Sequence, residues 1–191
     1  MTTIAVCDYG AGNTRSVLSA LGRTGATVTL TGDARFIGDA DLAVLPGVGA
    51  ARSAMEALRH TGQDRALRDR VSHGRPVLGI CLGLQLALER SDEDGGVEGL
   101  AILPGRVTRL TDGLVPRLGW GLVEPWGEAY YFAHSYAAET AAAVATSDGV
   151  VAAAATGSFL GVQFHPEKSG PAGERFLARY VAGVAPAAGV A

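Results

Sequence analysis

A cysteine with a glycine on either side lies at the junction of a predicted strand and a predicted helix. Residues 79–83 have the sequence Gly-Ile-Cys-Leu-Gly, and the apolar run 76–80 leads into them. This is the thiol counterpart of the nucleophile elbow, in which small neighbours permit a sharp turn. A helix beginning at Leu82 directs its N-terminal N–H groups at the sulfur, which favours the thiolate. We therefore predict that Cys81 is a nucleophile; the alternative is a buried structural cysteine, our interpretation of Cys7.

A base for this thiol, and a group that orients the base, are found near the C-terminus. The chain has four histidines, and His165 follows directly on the predicted strand 160–164. Glu167 is two residues further on, and Pro166 stiffens the link. A carboxylate there can hold one ring nitrogen and leave the other for the thiol. We predict His165 and Glu167 as base and orienting group. Surface exposure or simple packing is the interpretation of the other histidines: His60, His73 and His134.

Two loops carry weaker signals. The turn 46–49 has the sequence Pro-Gly-Val-Gly and follows a predicted strand. Its glycines allow a peptide to turn its N–H toward a reaction centre, although a plain glycine-rich turn explains the pattern equally well. The acidic loop 92–96 predicts a solvated turn.

Nucleotide and metal sites are both disfavoured by spacing. Residues 10–15 follow the first strand, but Arg15 stands where the third glycine of a dinucleotide loop should be. Asp33 is also poorly placed to bind a ribose. A metal site built from Cys81, His134 and His165 has no ligand spacing behind it. We predict no cofactor and no metal.

The elements that position these residues alternate along the first half of the chain. All-apolar strands separated by helical patterns predict an α/β fold: a single open, mixed but mainly parallel sheet covered by helices on both faces. Helical spacing after the cysteine predicts a helix over 82–90. Short segments separated by Gly, Pro and Asp predict an antiparallel portion in the second half. We expect one domain over 1–184 and a frayed tail over 185–191. The predicted strands of the first half are 4–7, 27–31, 42–45 and 76–80.

The composition excludes several classes of protein. Of 191 residues, 48% are hydrophobic and 18% are charged, which argues against a disordered chain. The formal net charge of −3 offers no basic surplus for nucleic acid or an anionic membrane. No apolar run approaches the ~20 residues that span a bilayer. The 27 glycines lack a collagen period, so we expect bends within a compact fold. Two cysteines and the lack of a secretory signal indicate a cytoplasmic protein.

The order of these segments resembles one family. The chain is similar to class I, triad-type glutamine amidotransferases, which implies a flavodoxin-like three-layer fold. More narrowly, it resembles the glutaminase subunits of imidazole glycerol phosphate synthase, from histidine biosynthesis. The cysteine elbow and the His-Pro-Glu segment mark the superfamily, and 8–13 with 165–169 mark the subunit. The resemblance covers essentially the whole chain. The matching segments are 8–13, 46–50, 79–86, 118–120, 131–136 and 161–169.

The resemblance implies a mechanism and a role for each site residue. The thiol of Cys81 attacks the side-chain amide of glutamine, His165 held by Glu167 moves the proton to ammonia, and water hydrolyses the glutamyl thioester. Main-chain N–H groups of Leu82 and, after a peptide turn, of Val48 and Gly49 form the oxyanion hole. The residues implied to seat glutamine are Gly47, Gln85, Ser135 and Tyr136.

The resemblance also implies a partner. Family members form a heterodimer with a cyclase subunit, a (β/α)₈ barrel, which uses the ammonia to make imidazole glycerol phosphate and aminoimidazole carboxamide ribotide. Asn13 and Trp120 match positions that lie toward this partner. The sequence departs from the family pattern at Arg117, usually His, and at Gly121, usually Asn.

Three alternatives stay open at this point. The first is a paralogue that feeds ammonia to a different synthase. The second is a catalytically silent regulatory or binding subunit, against which the intact triad argues. The third is an esterase or protease that uses the same elbow, although nothing in the sequence supplies its substrate pocket.

Overall fold

Short strands make up much of the protein. The computed structural model describes residues 1–10, 13–111, 113 and 115–184. The predicted tail 185–191 lies outside the described residues, as do Ala11 and Gly12 of the segment 8–13. In chain order the strands are β1 (Thr3–Cys7), β2 (Thr27–Thr31), β3 (Leu42–Leu45), β4 (Val77–Ile80), β5 (Arg90–Ser91), β6 (Val97–Glu98), β7 (Arg106–Arg109), β8 (Arg117–Val123), β9 (Glu128–His134), β10 (Tyr136–Glu139), β11 (Ala143–Ser147), β12 (Val150–Thr156) and β13 (Phe159–Val162).

Helices connect the parallel strands and close the chain. One-turn 3₁₀ helices cover Glu93–Gly95 and Pro166–Lys168. No helix among the described residues is long and apolar enough to cross a membrane. The α-helices are α1 (Thr14–Gly22), α2 (Ala34–Asp39), α3 (Ala51–Thr61), α4 (Gln63–Ser72), α5 (Leu82–Ala87) and α6 (Gly170–Val184).

A seven-stranded sheet in the order β11-β12-β13-β4-β3-β1-β2 forms the centre of the protein. The five strands from β13 to β2 are parallel, and β12 and β11 add an antiparallel edge. Every residue of β3 and β4 is buried, as expected for parallel strands covered on both faces. The predicted fold class, a mainly parallel sheet with an antiparallel portion, is therefore confirmed. The structure adds two smaller sheets, β10-β7-β5-β6 and the hairpin β8-β9.

Alternate residues of the central strands enter two separate cores. Ala5 and Cys7 of β1 face the core beneath α2 to α5, whereas Ile4 and Val6 face the core beneath α1 and α6. This is the alternation that a pleated strand imposes. Helices therefore cover both faces of the sheet, and the loops at the ends of its strands are the segments available to form a site.

Helix α5 is shorter than the predicted 82–90. It ends at Ala87, and Leu88 is already extended with ψ 169°. The carbonyl groups of the last turn are taken by the loop 99–103: Leu100 N–H donates to Leu86, and Leu103 N–H donates to Ala87. These hydrogen bonds satisfy the free carbonyl groups at the end of the helix, so the chain can continue directly into β5.

Candidate active site

Three neighbouring parallel strands end at one edge of the central sheet, and each leads into a predicted functional segment. The strand β3 leads into the turn 46–49, β4 leads into Cys81, and β13 leads into the segment 163–167. The carboxyl ends of adjacent parallel strands form the usual binding crevice of an open α/β sheet. The nucleophile therefore lies on the middle strand, with the glycine turn on one side and the histidine on the other.

The elbow at Cys81 depends on close backbone approach. Cys81 has φ 53° and ψ −105°, a left-handed conformation that is unusual for a residue with a side chain. A Cβ atom at Gly83 would lie 1.9 Å from the carbonyl oxygen of Leu45, and one at Gly79 would lie 2.8 Å from the backbone of Gly83. Both flanking glycines are therefore required by packing.

His165 and Glu167 form a buried pair. Nδ1 of His165 lies 2.8 Å from Oε1 of Glu167, and the two side chains are 2% and 3% exposed. Burial lowers the pKa of His165, but the nearby Cys81 and the hydrogen bond to Glu167 outweigh burial and raise this pKa to about 9. Among the described residues Nε2 of His165 is buried with no partner in hydrogen-bond geometry. That atom is left available to the nearby thiol.

A serine that the sequence analysis assigned no role holds the His165 loop against the hairpin. The hydroxyl of Ser169 donates to the carbonyl of His165 at 2.6 Å and accepts from the N–H of Tyr131 at 3.0 Å. The N–H of His165 donates in turn to the carbonyl of Tyr131 at 2.8 Å. Ser169 lies inside the His-Pro-Glu-Lys-Ser segment, so the motif contained the signal.

The thiol opens onto a cavity of about 250 Å³. Of the residues predicted to act on or bind glutamine, three lie outside its lining: Gly47, whose Cβ position would clash with Leu82 and Tyr9, and the buried pair His165 and Glu167. The described residues contain no group of three or more His, Cys, Asp or Glu side chains that could hold a metal ion. The lining residues are Val48, Gly49, Cys81, Leu82, Gln85, Glu93, Pro116, Leu118, Ala133, His134, Ser135 and Tyr136.

The predicted oxyanion hole is closed in this structure. The N–H of Leu82 donates to the carbonyl of Gly47 at 3.4 Å, so this donor already has an acceptor. Tyr9 anchors the turn, because its hydroxyl donates to the carbonyl of Pro46 at 2.5 Å. Gly49 has φ 108°, a conformation that glycine alone adopts readily. A turn of the peptide between Gly47 and Val48 would release the Leu82 N–H.

The acidic loop does more than the predicted solvated turn. Glu93 is partly buried and lines the cavity, and its Oε2 accepts from the N–H of Ala51 at 2.9 Å. Arg52 donates to the carbonyl of Asp94 at 2.8 Å, which ties the loop to the start of α3. The prediction was wrong for Glu93, because a charged loop has no periodicity that reveals a partner distant in sequence.

His134 is a neutral wall of the cavity. Its Nδ1 lies 2.9 Å from the carbonyl of Tyr136, which can only accept, so Nδ1 carries the proton. Burial lowers the pKa of His134 to about 4, so the ring is uncharged at neutral pH. The wall therefore places no second positive charge beside His165.

One face of the β8-β9 hairpin is apolar and exposed. Leu118, Trp120 and Leu122 alternate along β8 and are 65%, 60% and 53% exposed. Tyr131 of β9 lies opposite Trp120, with ring centroids 6.2 Å apart. Asn13 is exposed at the start of α1. A contiguous apolar strip of this kind is typical of a surface that a partner covers.

Comparison with known proteins assigns the chain to a family. A family model described as "Glutamine amidotransferase class-I" matches residues 5–183. The chain belongs to the class I glutamine amidotransferases. It is 43% identical over 201 residues to a Symbiobacterium thermophilum protein named "Imidazole glycerol phosphate synthase subunit HisH", covering 94% of this chain and 93% of the relative.

Other matches to this glutamine amidotransferase agree with that assignment. A protein of the same name from Methanothermobacter thermautotrophicus is 44% identical over 194 residues, which cover 93% of this chain and 97% of the relative. A crystal structure titled as a glutamine amidotransferase superposes with a TM-score of 0.77 at 19% identity, covering 94% of this chain and 98% of the other. At that identity the structural match supports the fold alone.

Proposed function

We propose that this chain is the glutaminase subunit of an imidazole glycerol phosphate synthase, hydrolysing glutamine to glutamate and ammonia for histidine biosynthesis. The observation that carries the proposal is the buried pair of His165 and Glu167, 2.8 Å apart, behind a cysteine on a strained elbow. The similarity to the HisH subunits over more than nine-tenths of the chain supports the choice of pathway.

In the first half of the reaction the proton of the Cys81 thiol resides on His165, and the thiolate sulfur attacks the side-chain amide carbon of glutamine. The C–S bond forms, the carbonyl oxygen becomes an oxyanion, and N–H groups of Leu82 and of Val48 or Gly49 hold it after the peptide turn. The C–N bond then breaks, and His165 gives its proton to the leaving ammonia. A raised pKa suits this step, because the ring carries a proton at neutral pH.

In the second half, water hydrolyses the thioester. The neutral ring of His165, held by Glu167, takes a proton from water as the oxygen attacks the thioester carbon. The C–S bond breaks and glutamate leaves. The sum is glutamine and water to glutamate and ammonia, and no metal or cofactor takes part in this scheme.

The cavity walls suit the charged end of free glutamine. The carboxylate of Glu93 lies where it can receive an α-ammonium group, a role that the sequence analysis missed. Ser135, Tyr136 and Gln85 also line the cavity, and the amide of Gln85 donates to the carbonyl of Tyr136 at 2.7 Å. A cavity of about 250 Å³ accommodates one amino acid. The sequence predicted that Gly47 helps to seat glutamine, but Gly47 does not line the cavity. In this proposal it contributes instead to the peptide that turns between Gly47 and Val48.

The apolar strip Leu118, Trp120 and Leu122 suits the cyclase partner. Leu118 belongs to both the strip and the cavity lining, so a partner seated there would cover the mouth of the site. Ammonia could then pass into the partner without crossing water. The partner in this proposal is a (β/α)₈ barrel in a heterodimer with this chain, and Asn13 lies in the same interface. We place the complex in the cytoplasm, where free thiols such as those of Cys7 and Cys81 stay reduced.

The test uses the chain co-purified with the cyclase subunit encoded by the same genome. In this complex Cys81→Ala should abolish synthesis from glutamine and leave synthesis from added ammonia intact. Equal loss from both nitrogen sources would count against the proposal. Failure to co-purify with that cyclase, with capture of a different synthase, would instead favour a paralogue.

Two further measurements address the remaining alternatives. A glutamine-analogue electrophile should label Cys81 in the complex, and absence of the adduct would favour a silent subunit. The turnover of an ester substrate should be negligible compared with the turnover of glutamine. Faster turnover of the ester than of glutamine would favour an esterase.

A further inference from the structure

A chain of three hydrogen bonds runs from the cavity wall to the nucleophile. Nε2 of Gln85 lies 2.7 Å from the carbonyl oxygen of Tyr136 and 3.1 Å from Oε1 of Gln163. Nε2 of Gln163 lies 3.6 Å from the sulfur of Cys81. Gln163 is fully buried, and Gln85 is 7% exposed. Two buried amides therefore link the wall to the reacting atom.

The direction of this chain is fixed at its outer end. A backbone carbonyl can only accept, so the atom of Gln85 beside Tyr136 must be the amide nitrogen. That nitrogen donates its second hydrogen to Gln163, so the atom of Gln163 that faces it must be the amide oxygen. The amide nitrogen of Gln163 is then left facing the sulfur. The sulfur of Cys81 consequently meets a donor.

We propose that Gln163 is a catalytic residue that donates a hydrogen bond to the Cys81 thiolate, and that Gln85 positions it by fixing its amide orientation. A hydrogen bond to a charged acceptor is about twice as strong as one to a neutral acceptor. The Gln163 donor is shielded from water and meets the sulfur among the described residues. It therefore favours the thiolate over the thiol.

Gln85 has a second consequence for the site. Both hydrogens of its amide are engaged, so Oε1 is the polar atom that remains for a molecule in the cavity. A donor group of the substrate that binds Oε1 would polarise Gln85 and, through it, Gln163. The seat of the substrate and the thiolate are thus joined by one hydrogen-bonded path.

The proposal rests on the proposed function only in taking Cys81 as the nucleophile, and its test requires neither glutamine nor a partner. The measurement is the rate of alkylation by iodoacetamide as a function of pH, with the modified residue identified by mass spectrometry. Burial raises the pKa of Cys7 to about 12, so alkylation reports on Cys81. The variant Gln163→Met removes the donor and keeps an unbranched side chain of similar length.

We expect Gln163→Met to slow alkylation at neutral pH about tenfold and to move the half-maximal pH up by about one unit. The matched control is Gln63→Met. Gln63 is also fully buried, but it donates to the carbonyl of Asp8 at 2.7 Å and the hydroxyl of Thr61 at 2.9 Å. This control should lose stability and keep the wild-type alkylation profile.

A second variant tests the orientation itself. In Gln85→Glu an oxygen replaces the nitrogen, so Gln163 should turn its own nitrogen toward residue 85 and its oxygen toward the sulfur. Alkylation should slow although residue 163 is unchanged. A wild-type profile in folded Gln163→Met would overturn the proposal, and so would a wild-type profile in Gln85→Glu if Gln163→Met does not fold. A complex that releases no glutamate would overturn the proposed function and leave the alkylation result standing.

Discussion

The guanidinium group of Arg117 occupies the space that a side chain at Gly121 would need. A Cβ atom at Gly121 would lie 2.6 Å from Nη2 of Arg117 and 2.7 Å from Oγ of Ser147. Arg117 donates to that hydroxyl at 2.7 Å and pairs with Asp148 at 2.6 Å. Its guanidinium carbon lies 4.3 Å from the ring centroid of Phe132. The two departures from the family pattern are therefore one packing unit.

This packing unit lies on the buried face of the β8-β9 hairpin. Arg117 and Gly121 are partly or fully buried, whereas Leu118, Trp120 and Leu122 alternate with them on the exposed side. The two departures accordingly tie β8 to the end of β11 and leave the side chains of the exposed strip unchanged. They give no physical reason to expect a different partner.

We predict that Gly121→Ala lowers the free energy of unfolding by about 1–3 kcal/mol, because the added methyl overpacks a filled space. Urea denaturation measures the effect. Gly38→Ala is the control: Gly38 lies in α2 with nothing within 4 Å of its Cβ position, so alanine should be neutral or stabilising there.

The same clash predicts a coupling. In the background Arg117→Met, Gly121→Ala should be less destabilising than in the wild type, because one of the two closest atoms has been removed. A double-mutant cycle on unfolding free energies measures this. Strict additivity of the two substitutions would contradict the packing unit.

The placement of the central strands and the elbow was predictable because both signals are local. The apolar residues 76–78 before Gly79, and the glycines spaced around Cys81, specify a buried strand and a sharp turn without reference to the rest of the chain. The pairing of His165 with Glu167 was also local, since only Pro166 separates them. The structure confirms the fold class that these local signals predicted. It also brings Cys81, His165 and Glu167 to one edge of the sheet.

Other features depend on contacts that no local pattern encodes. Glu93 reaches the N–H of Ala51, 42 residues away, and Gln163 reaches Cys81, 82 residues away. The local sequence does not explain why glycine stands at position 121. Glycine is needed there because the long side chain of Arg117 folds back along the strand and fills the space. Such contacts require the register of the sheets, which hydrophobic periodicity alone does not specify.

We predict that Trp120→Ala weakens binding to the cyclase subunit by roughly thirtyfold, the effect of losing a central aromatic contact worth about 2 kcal/mol. The side chain is 60% exposed, so the melting temperature of the isolated chain should change little. Titration of the two subunits measures the dissociation constant. Phe36→Ala is the control, because Phe36 is 40% exposed on α2, outside the strip. Equal effects of the two variants would contradict the assigned interface.

We predict that Glu93→Gln raises the KM for glutamine about tenfold or more, with a smaller change in kcat, because a charged partner of the α-ammonium group is lost. The amide oxygen of the substituted side chain at position 93 can still accept from the N–H of Ala51, so the start of α3 keeps its contact. Steady-state kinetics of the complex give both constants. Asp94→Asn is the control; a neighbouring charge loss that raises KM equally would point to a general field effect.

We predict that kcat/KM of the complex for glutamine falls as the pH rises through about 9, because His165 must hold a proton to give to the leaving ammonia. Burial lowers this pKa, but the nearby Cys81 and the hydrogen bond that the ring donates to Glu167 outweigh burial and raise it. In Glu167→Gln the carboxylate contribution is lost, so the alkaline fall should move to lower pH. A pH–rate profile measures the shift.

The control for this shift is a carboxylate away from the triad. Glu174 of α6 pairs with Arg23, which follows α1, and both side chains are about half exposed. Glu174→Gln should therefore leave the alkaline fall where it is. An unmoved profile in Glu167→Gln would show that Glu167 does not set the protonation of the ring. Its role would then be steric, and kcat would fall by the same factor at every pH.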